Sequence, residues 1–247
     1  GLSAMREGKP ASVVLANLLA KDANREVRQV AMVDGKGTVA VHTGQRCIAE
    51  AGHQTGYQYS VQANMMLRNT VWPAMAAAYE AAKGSLADRL LAALDAAQAQ
   101  GGDIRGQQSA ALLVVSGESH NEPWKGVLVD LRVEDHSEPL VELRRLLTVQ
   151  HAYEHMNRGD ELLSQGLIDQ AFSAYEQAAA LAPHLHELPF WQVVTLLDSG
   201  REQEALPILK RVFQANPNWL LLLERLPAAG LLKDDRRMLR RVRKLLG

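Results

Sequence analysis

The sequence has almost no cysteine and almost no net charge. Cys47 is the single cysteine among 247 residues, so an intrachain disulfide is excluded. A formal net charge of -1 gives the protein no overall field that would attract nucleic acid or an anionic membrane. The one basic segment, DDRRMLRRVRKLL near the C-terminus, is short and contains no base-stacking aromatic residue. We therefore expect this segment to be a capping helix with a solvated face, and we expect no nucleic-acid partner.

Long apolar runs and cofactor motifs are also missing. No run approaches the roughly 18 residues that a membrane-spanning helix needs, and no signal-peptide pattern opens the chain. With so little cysteine, this favours a cytoplasmic protein and excludes a membrane partner. The chain has no phosphate-binding loop, no GxGxxG and no G-x-S-x-G elbow. His42, His53 and His136 show no metal-binding spacing, and no cysteine pair supports them, so we expect neither a cofactor nor a metal.

Up to about residue 136 the sequence alternates between helical and strand patterns. ASVVLANLLAKD repeats its apolar residues at helical spacing. RQVAMVDGKGTVAVHTG predicts two strands joined by a turn at residues 34–37, and GYQYSVQANMML alternates as a strand does. Residues 70–100 predict helices with a break at Gly84, and SAALLVV and GVLVDLRV predict two more strands. This order predicts a layered α+β domain over residues 1–136, with mostly antiparallel strands.

A repeat of 34 residues replaces the strand patterns in the second half. LLSQGLIDQAFSAYEQAAALAPH, from Leu162, aligns with LLDSGREQEALPILKRVFQANPN, from Leu196. The offset places Ala171 on Ala205, and it also pairs Gly166 with Gly200, Tyr175 with Leu209 and Pro183 with Pro217. A small residue where two helices cross and a proline after the second helix are typical of tetratricopeptide repeats. Residues 137–247 are therefore predicted to be an all-α, tetratricopeptide-like domain of helical hairpins with capping helices, able to bind a protein partner.

Motifs in the first half resemble, in the same order, those of a bacterial family. They are REVRQVAMVD, HTGQRC, AGH, SVQANMM, GGDIRGQQSAALLVV and VDLRVEDHSEPLVELRRLL, at residues 25–34, 42–47, 51–53, 60–66, 101–115 and 129–147. This set resembles the domain of unknown function 1028 family, within the N-terminal-nucleophile hydrolase superfamily. The resemblance implies an αββα sandwich, in which helices cover both outer faces of two stacked antiparallel sheets.

The same resemblance bears on catalysis. In that superfamily the catalytic Thr, Ser or Cys is the first residue of the chain, and its α-amino group serves as the general base. This chain begins with Gly1, which has no nucleophilic side chain. We therefore expect the first strands and the nucleophile of such a domain to be absent here, in a processed or truncated chain. Missing strands leave sheet edges exposed, which predicts a homo-oligomer.

Polar residues next to predicted strands are candidates for a cleft. GGDIRGQQS precedes the apolar run AALLVV, which we expect to form a fully buried strand. Arg105 could bind an anion, and Gln62 and Asn64 could donate hydrogen bonds to a developing oxyanion. Structural roles are the alternatives: a Gly-Gly helix stop, an Asp–Arg pair that fixes the loop, or a solvated strand face. The candidate cleft residues are His42, Gln62, Asn64, Asp103, Arg105, Gln108 and Ser109, and no catalytic residue is assigned among them.

The sequence leaves two functions open. The first is a hydrolase-like domain that acts on a small amide or peptide-like bond, fused to a helical module that binds partners. The second is a non-catalytic interaction or scaffold protein, which the lack of any complete triad, metal site or cofactor motif favours. Attachment to peptidoglycan is a third, weaker hypothesis, because the repeat period favours stacked helical hairpins instead.

Overall fold

The computed structural model describes residues 1–245 and divides the chain into two compact units. The N-terminal unit is Gly1–Leu146 and the C-terminal unit is Leu147–Gly247. The boundary that the sequence predicts after residue 136 stays a prediction, and the last two residues of the predicted helical domain lie outside the described ones. Within residues 1–245, no helix is both long enough and apolar enough to cross a lipid bilayer.

The N-terminal unit mixes helices with three antiparallel hairpins, which confirms the predicted α+β class. Within residues 1–245 the pairs are β1–β2, β3–β4 and β5–β6, each a separate two-stranded sheet. The elements in chain order are α1 (Leu2–Arg6), α2 (Ala11–Lys21), β1 (Gln29–Val33), β2 (Val39–Thr43), β3 (Gly52–Gly56), β4 (Tyr59–Ala63), α3 (Val71–Ala81), α4 (Leu86–Ala99), β5 (Ala110–Val115) and β6 (Val127–Val133).

The first hairpin turns at the predicted residues, and Asp34 organises the turn. One oxygen of its carboxylate accepts hydrogen bonds from the N–H groups of Lys36, at 2.9 Å, and Thr38, at 3.0 Å. The other oxygen accepts the N–H of Ala11, at 3.0 Å, which is the first residue of α2. These backbone donors hold the pKa of Asp34 below its ordinary value. A single carboxylate therefore closes the turn and caps a neighbouring helix.

The second hairpin corrects the prediction of one continuous strand from residue 57. Tyr57 and Gln58 form the turn between β3 and β4, with Gln58 at φ 61°, so Tyr57 is exposed and does not share the face of Tyr59. Tyr59 packs against Tyr79 of α3, and its hydroxyl donates to Glu80 at 2.5 Å. Burial and this hydrogen bond raise the pKa of Tyr59 to about 12.

Strand β5 is not fully buried, which corrects a second expectation. Leu112 and Val114 are buried, but Leu113 is 57% exposed and Val115 is 56% exposed. An apolar run predicts burial on both faces only where other elements cover both faces. In this hairpin the side chains alternate, so one face joins the core of the unit and the other stays open.

The C-terminal unit is helical, as predicted. After α5 (Pro139–Ser164) follow α6 (Ile168–Leu181), α7 (Glu187–Asp198), α8 (Glu202–Ala215), α9 (Asn218–Arg225) and α10 (Arg236–Leu245). Positions that the repeat equates share their environments. Gly166 and Gly200 both have φ 75°, and Ala171 and Ala205 are both completely buried. The small side chains of these buried alanines allow neighbouring helices to pack closely.

Candidate functional site

The loop after α4 begins with a glycine helix stop. The N–H of Gly102 donates to the carbonyl of Ala97 at 3.0 Å, and the N–H of Gly101 donates to that of Gln98 at 2.9 Å. Both glycines have positive φ, 110° at Gly101 and 61° at Gly102, a region that side chains with a Cβ rarely adopt. The predicted Gly-Gly stop therefore directs the chain away from the helix and into the polar residues.

Backbone hydrogen bonds attach this loop to two strand ends. The N–H of Leu67 donates to the carbonyl of Gly102, and the N–H of Ile104 donates to that of Met65, both at 2.9 Å, in the segment that follows β4. On the other side, the N–H of His136 donates to the carbonyl of Gln108 at 2.8 Å, just beyond the end of β6. Residues 103–109 are therefore held beside the end of β4 and the end of β6.

The loop and the two strand ends to which it is bonded surround a depression of about 670 Å³, which we call the polar cleft. Five of the seven predicted cleft residues line it, namely Gln62, Asp103, Arg105, Gln108 and Ser109. Its apolar wall comes from α3, α4 and the segment after β4, through Met66, Val71, Met75, Leu94 and Ala97. The polar side chains thus reach one hollow from separate segments of the chain.

An ion pair dominates the electrostatics of the cleft. Arg105 Nε lies 2.9 Å from Oδ1 of Asp103 and Nη2 lies 2.6 Å from Oδ2, while the Arg105 backbone N–H donates to Oδ1 at 2.8 Å. The guanidinium lowers the pKa of Asp103 to about 2, and the backbone donor acts in the same direction. Asp135 adds a second acidic side chain to the lining, so the acidic groups outnumber the basic one at the cleft.

Neutral polar groups complete the lining. The side chains of Gln108 and Ser109 make no hydrogen bond within residues 1–245, and Gln62 only accepts one from Ser60, at 3.2 Å. Amide and hydroxyl groups that lack protein partners can donate to and accept from a ligand. The cleft therefore offers donors and acceptors without a strong net charge.

The structure does not bring His42 or Asn64 to the polar cleft. Asn64 Nδ2 donates to Oε1 of Gln29 at 2.8 Å, and Gln29 Nε2 donates to the carbonyl of Ala63 at 3.0 Å. Asn64 thus joins the first two hairpins instead of facing a ligand. His42 Nε2 is 2.8 Å from the carbonyl oxygen of Arg25, which fixes its ring to the turn before β1.

Three polar residues of the lining, Gln98, Gln107 and Asp135, are not among the predicted cleft residues. Gln107 belongs to the same polar run as Gln108 and was overlooked beside it. Asp135 lies two residues after the end of β6, and polar residues near strand ends are the signal that predicts the other lining residues. The same signal therefore applies to Asp135.

A second depression, of about 470 Å³, lies beside Cys47. The Cys47 thiol donates to the carbonyl of Arg28 at 3.4 Å. Nearby, His53 Nδ1 shares a 2.8 Å hydrogen bond with the hydroxyl of Thr43, so this ring nitrogen is engaged by a hydroxyl. Within residues 1–245, no group of three or more His, Cys, Asp and Glu side chains is placed to hold a metal ion.

Known proteins resemble part of the chain. Residues 1–143 match the model of DUF1028, a family of unknown function. No curated protein matches the chain. The crystal structure of protein SPO2555 from Silicibacter pomeroyi, described by the same family, is similar over 59% of this chain, with 31% sequence identity and a TM-score of 0.51. The chain spans 62% of the length of that protein.

Proposed function

The chain belongs to the DUF1028 family, and we propose that its N-terminal unit binds a small amide-like or peptide-like ligand in the polar cleft. One observation carries this proposal: side chains from the end of β4, the loop after α4 and the segment after β6 line a single hollow. Loops at strand ends commonly carry binding residues because the strands hold them in place. The layered fold of the N-terminal-nucleophile hydrolases is part of the same proposal.

The lining suits an amide-bearing ligand. The side-chain amides of Gln62, Gln107 and Gln108 each offer donors and an acceptor, which complement the N–H and C=O of a peptide bond. Arg105 uses Nε and Nη2 for Asp103, which leaves other guanidinium hydrogens for a carbonyl or carboxylate oxygen of the ligand. Asp135 would favour an amino group at the opposite end of such a ligand.

Binding of N-acetyl amino-acid amides and dipeptides, followed by NMR on the full chain, tests this proposal. We expect Arg105→Ala to weaken binding by about tenfold, the loss of one charge-assisted hydrogen bond. Arg132→Ala is the matched control, because Arg132 forms the same pair with an aspartate two residues earlier but does not line the cleft. Equal binding by the two variants, or no binding of any probe to the unmodified chain, would contradict the proposal.

Amide hydrolysis is the reaction we propose for this site. A water molecule would attack the amide carbonyl, and the neutral amide donors of the cleft would stabilise the oxyanion; the C–N bond would then break, and the amine would leave with the proton that the water loses. Mass spectrometry of each bound probe after incubation tests this step. Cleaved product supports hydrolysis, and quantitative recovery of intact probe supports the second candidate.

The second candidate is a non-catalytic scaffold. The observation in its favour is that the Ser109 hydroxyl has no hydrogen-bonded base within residues 1–245. Activation of a serine nucleophile requires such a base. In a scaffold the cleft would recognise a peptide without cleaving it.

For the C-terminal unit we propose a tetratricopeptide-like interaction module. The support is the 34-residue period together with the shared conformation of Gly166 and Gly200 and the shared burial of Ala171 and Ala205. We further propose that the protein is cytoplasmic and forms homo-oligomers through the open face of the β5–β6 hairpin, where apolar side chains are exposed.

A further inference from the structure

A groove of about 490 Å³ lies in the C-terminal unit between α6 and α8. Its floor is formed by Pro189 and Gln192 of α7, both buried. Short or branched apolar side chains form its walls, Ala179 and Ala180 on α6 and Ile208 and Val212 on α8. We call this feature the helical groove. The residues on each wall follow helical spacing, so each helix presents one continuous stripe to the groove.

Gln192 is an anomaly on this floor. Its side chain is only 5% exposed, and its amide makes no hydrogen bond within residues 1–245. Among the buried side-chain nitrogen and oxygen atoms of residues 1–245, only Trp219 Nε1 lacks a hydrogen-bond partner, so the unpaired amide of Gln192 is not sealed in the core but is reached by solvent. Thr195, the other buried polar residue of the same helix, is hydrogen-bonded to the hydroxyl of Tyr175. The amide of Gln192 therefore lies ready for a partner that enters the groove.

Two charged side chains line the same groove from opposite walls. Arg211 lies on α8 and Glu176 lies on α6, and neither forms an ion pair or hydrogen bond within residues 1–245. Some arginines of this unit are paired, whereas Arg225, Arg236 and Arg237 form no ion pair within residues 1–245, like Arg211. Arg201 contacts Glu204 at 2.7 Å, and Arg241 contacts Glu202 at 2.5 Å. Arg211 thus offers an unpaired positive charge beside an unpaired amide.

We propose that the helical groove binds an extended peptide segment of a partner protein, with a main-chain amide on Gln192 and an acidic side chain on Arg211. The proposal rests on the proposed role of the C-terminal unit as an interaction module, and it supplies the site and the ligand chemistry. A glutamine amide has one acceptor and two donors, so it pairs with both the C=O and the N–H of a peptide bond. The small side chains of α6 leave room for a backbone to approach. Glu176 on the facing wall disfavours a uniformly acidic segment, so we expect one acidic residue in an otherwise neutral or basic peptide.

Selection of short random peptides on the full chain, followed by calorimetry of synthetic versions, tests the proposal. We expect the selected peptides to bind Gln192→Leu and Arg211→Glu at least about tenfold more weakly than the unmodified chain. Lys210→Glu is the matched control, since Lys210 is the exposed neighbour of Arg211 on α8 and does not line the groove. A peptide whose acidic residue is replaced by lysine should recover affinity for Arg211→Glu.

The possible results distinguish failure of the proposed helical groove from failure of the proposed interaction module. Selected peptides that bind all three variants as tightly as the unmodified chain would overturn the groove but leave the interaction module standing. Failure to select any peptide would overturn both. A third readout is independent of the ligand: in the free protein, Gln192→Leu should leave the thermal midpoint unchanged or raise it, because the substitution breaks no hydrogen bond within residues 1–245. A large fall in that midpoint would show that the amide is already satisfied, for example by an internal water, and would overturn the proposal.

Discussion

Asp103 and Arg105 form an ion pair within one loop, between α4 and β5, with two donor–acceptor contacts of 2.9 and 2.6 Å. The backbone N–H of Arg105 donates to the same carboxylate, so the pair closes a short ring at the edge of the polar cleft. Asp130 and Arg132 repeat the spacing on β6, at 3.0 and 3.3 Å, outside the cleft. The loop pair is therefore a structural clamp as well as a part of the lining, and the strand pair provides a reference for it.

The Asp103–Arg105 pair should stop stabilising the loop at low pH. Because the pKa of Asp103 is lowered to about 2 in the folded protein, its stabilisation is complete above the ordinary aspartate pKa, near 3.8. The stabilisation by the Asp103–Arg105 pair is lost as the pH falls from about 3.8 through about 2. We expect the Asp103 carboxyl carbon to titrate near this low value by NMR, with the amide signals of residues 103–106 moving over the same range. A titration midpoint at the ordinary aspartate value would contradict the prediction.

The glycine stop should tolerate no side chain at Gly101. A Cβ there would lie 2.7 Å from Cδ2 of Leu67, in a backbone with φ 110°. We expect Gly101→Ala to lower the free energy of unfolding by about 1–2 kcal/mol, measured by urea denaturation. Gly117→Ala is the control, because no heavy atom lies within 4 Å of a Cβ at that position. Equal stability of the two variants would show that the loop relaxes without cost.

Local sequence signals account for much of the fold. The Asp34 turn and the helix break at Gly84 were predicted because each depends on a few neighbouring residues. The β3–β4 hairpin was missed because the two turn residues, Tyr57 and Gln58, preserve the alternation of a single strand. The exposure of Leu113 was missed because the burial of an apolar strand depends on what covers its second face, and that is a tertiary property.

For the candidate site, polar residues at strand ends were a useful signal, since backbone bonds bring those ends together. Gln62 and Ser109 meet at the cleft although they are distant in sequence. The alternation of side chains in a strand also predicts that Asn64 lies on the same strand face as Gln62. Because β4 ends at Ala63, the strand pattern does not extend to Asn64, which binds Gln29 instead. The contact between Asn64 and Gln29 joins two hairpins, so the sequence around Asn64 alone does not predict it.

The helix crossing in the C-terminal unit should be intolerant of larger side chains. Ala205 is completely buried on α8, in contact with the core of this unit. We expect Ala205→Leu to lower the free energy of unfolding by about 1–3 kcal/mol, because the added atoms force neighbouring helices apart. Ala215→Leu, at the exposed end of the same helix, should change stability by less than about 0.5 kcal/mol. Chemical denaturation of the two variants distinguishes them, and equal losses would contradict close packing at Ala205.

The open face of the β5–β6 hairpin should govern self-association. Leu113 lies opposite Asp130, and Ala111 lies opposite Arg132, so this face combines exposed apolar surface with one charge of each sign. Apposition of two copies about a two-fold axis would bury the leucines and set each acidic group near a basic group of the other copy.

Light scattering of the full chain should therefore report a dimer or a larger species, and Leu113→Asp should shift it toward the monomer without changing its circular dichroism. Leu221→Asp is the control, since Leu221 is about equally exposed but lies on α9 of the C-terminal unit. A monomeric unmodified chain would contradict self-association itself. Equal dissociation by the two variants would instead contradict the assignment to this face, because a negative charge placed far from the interface should leave the assembly intact.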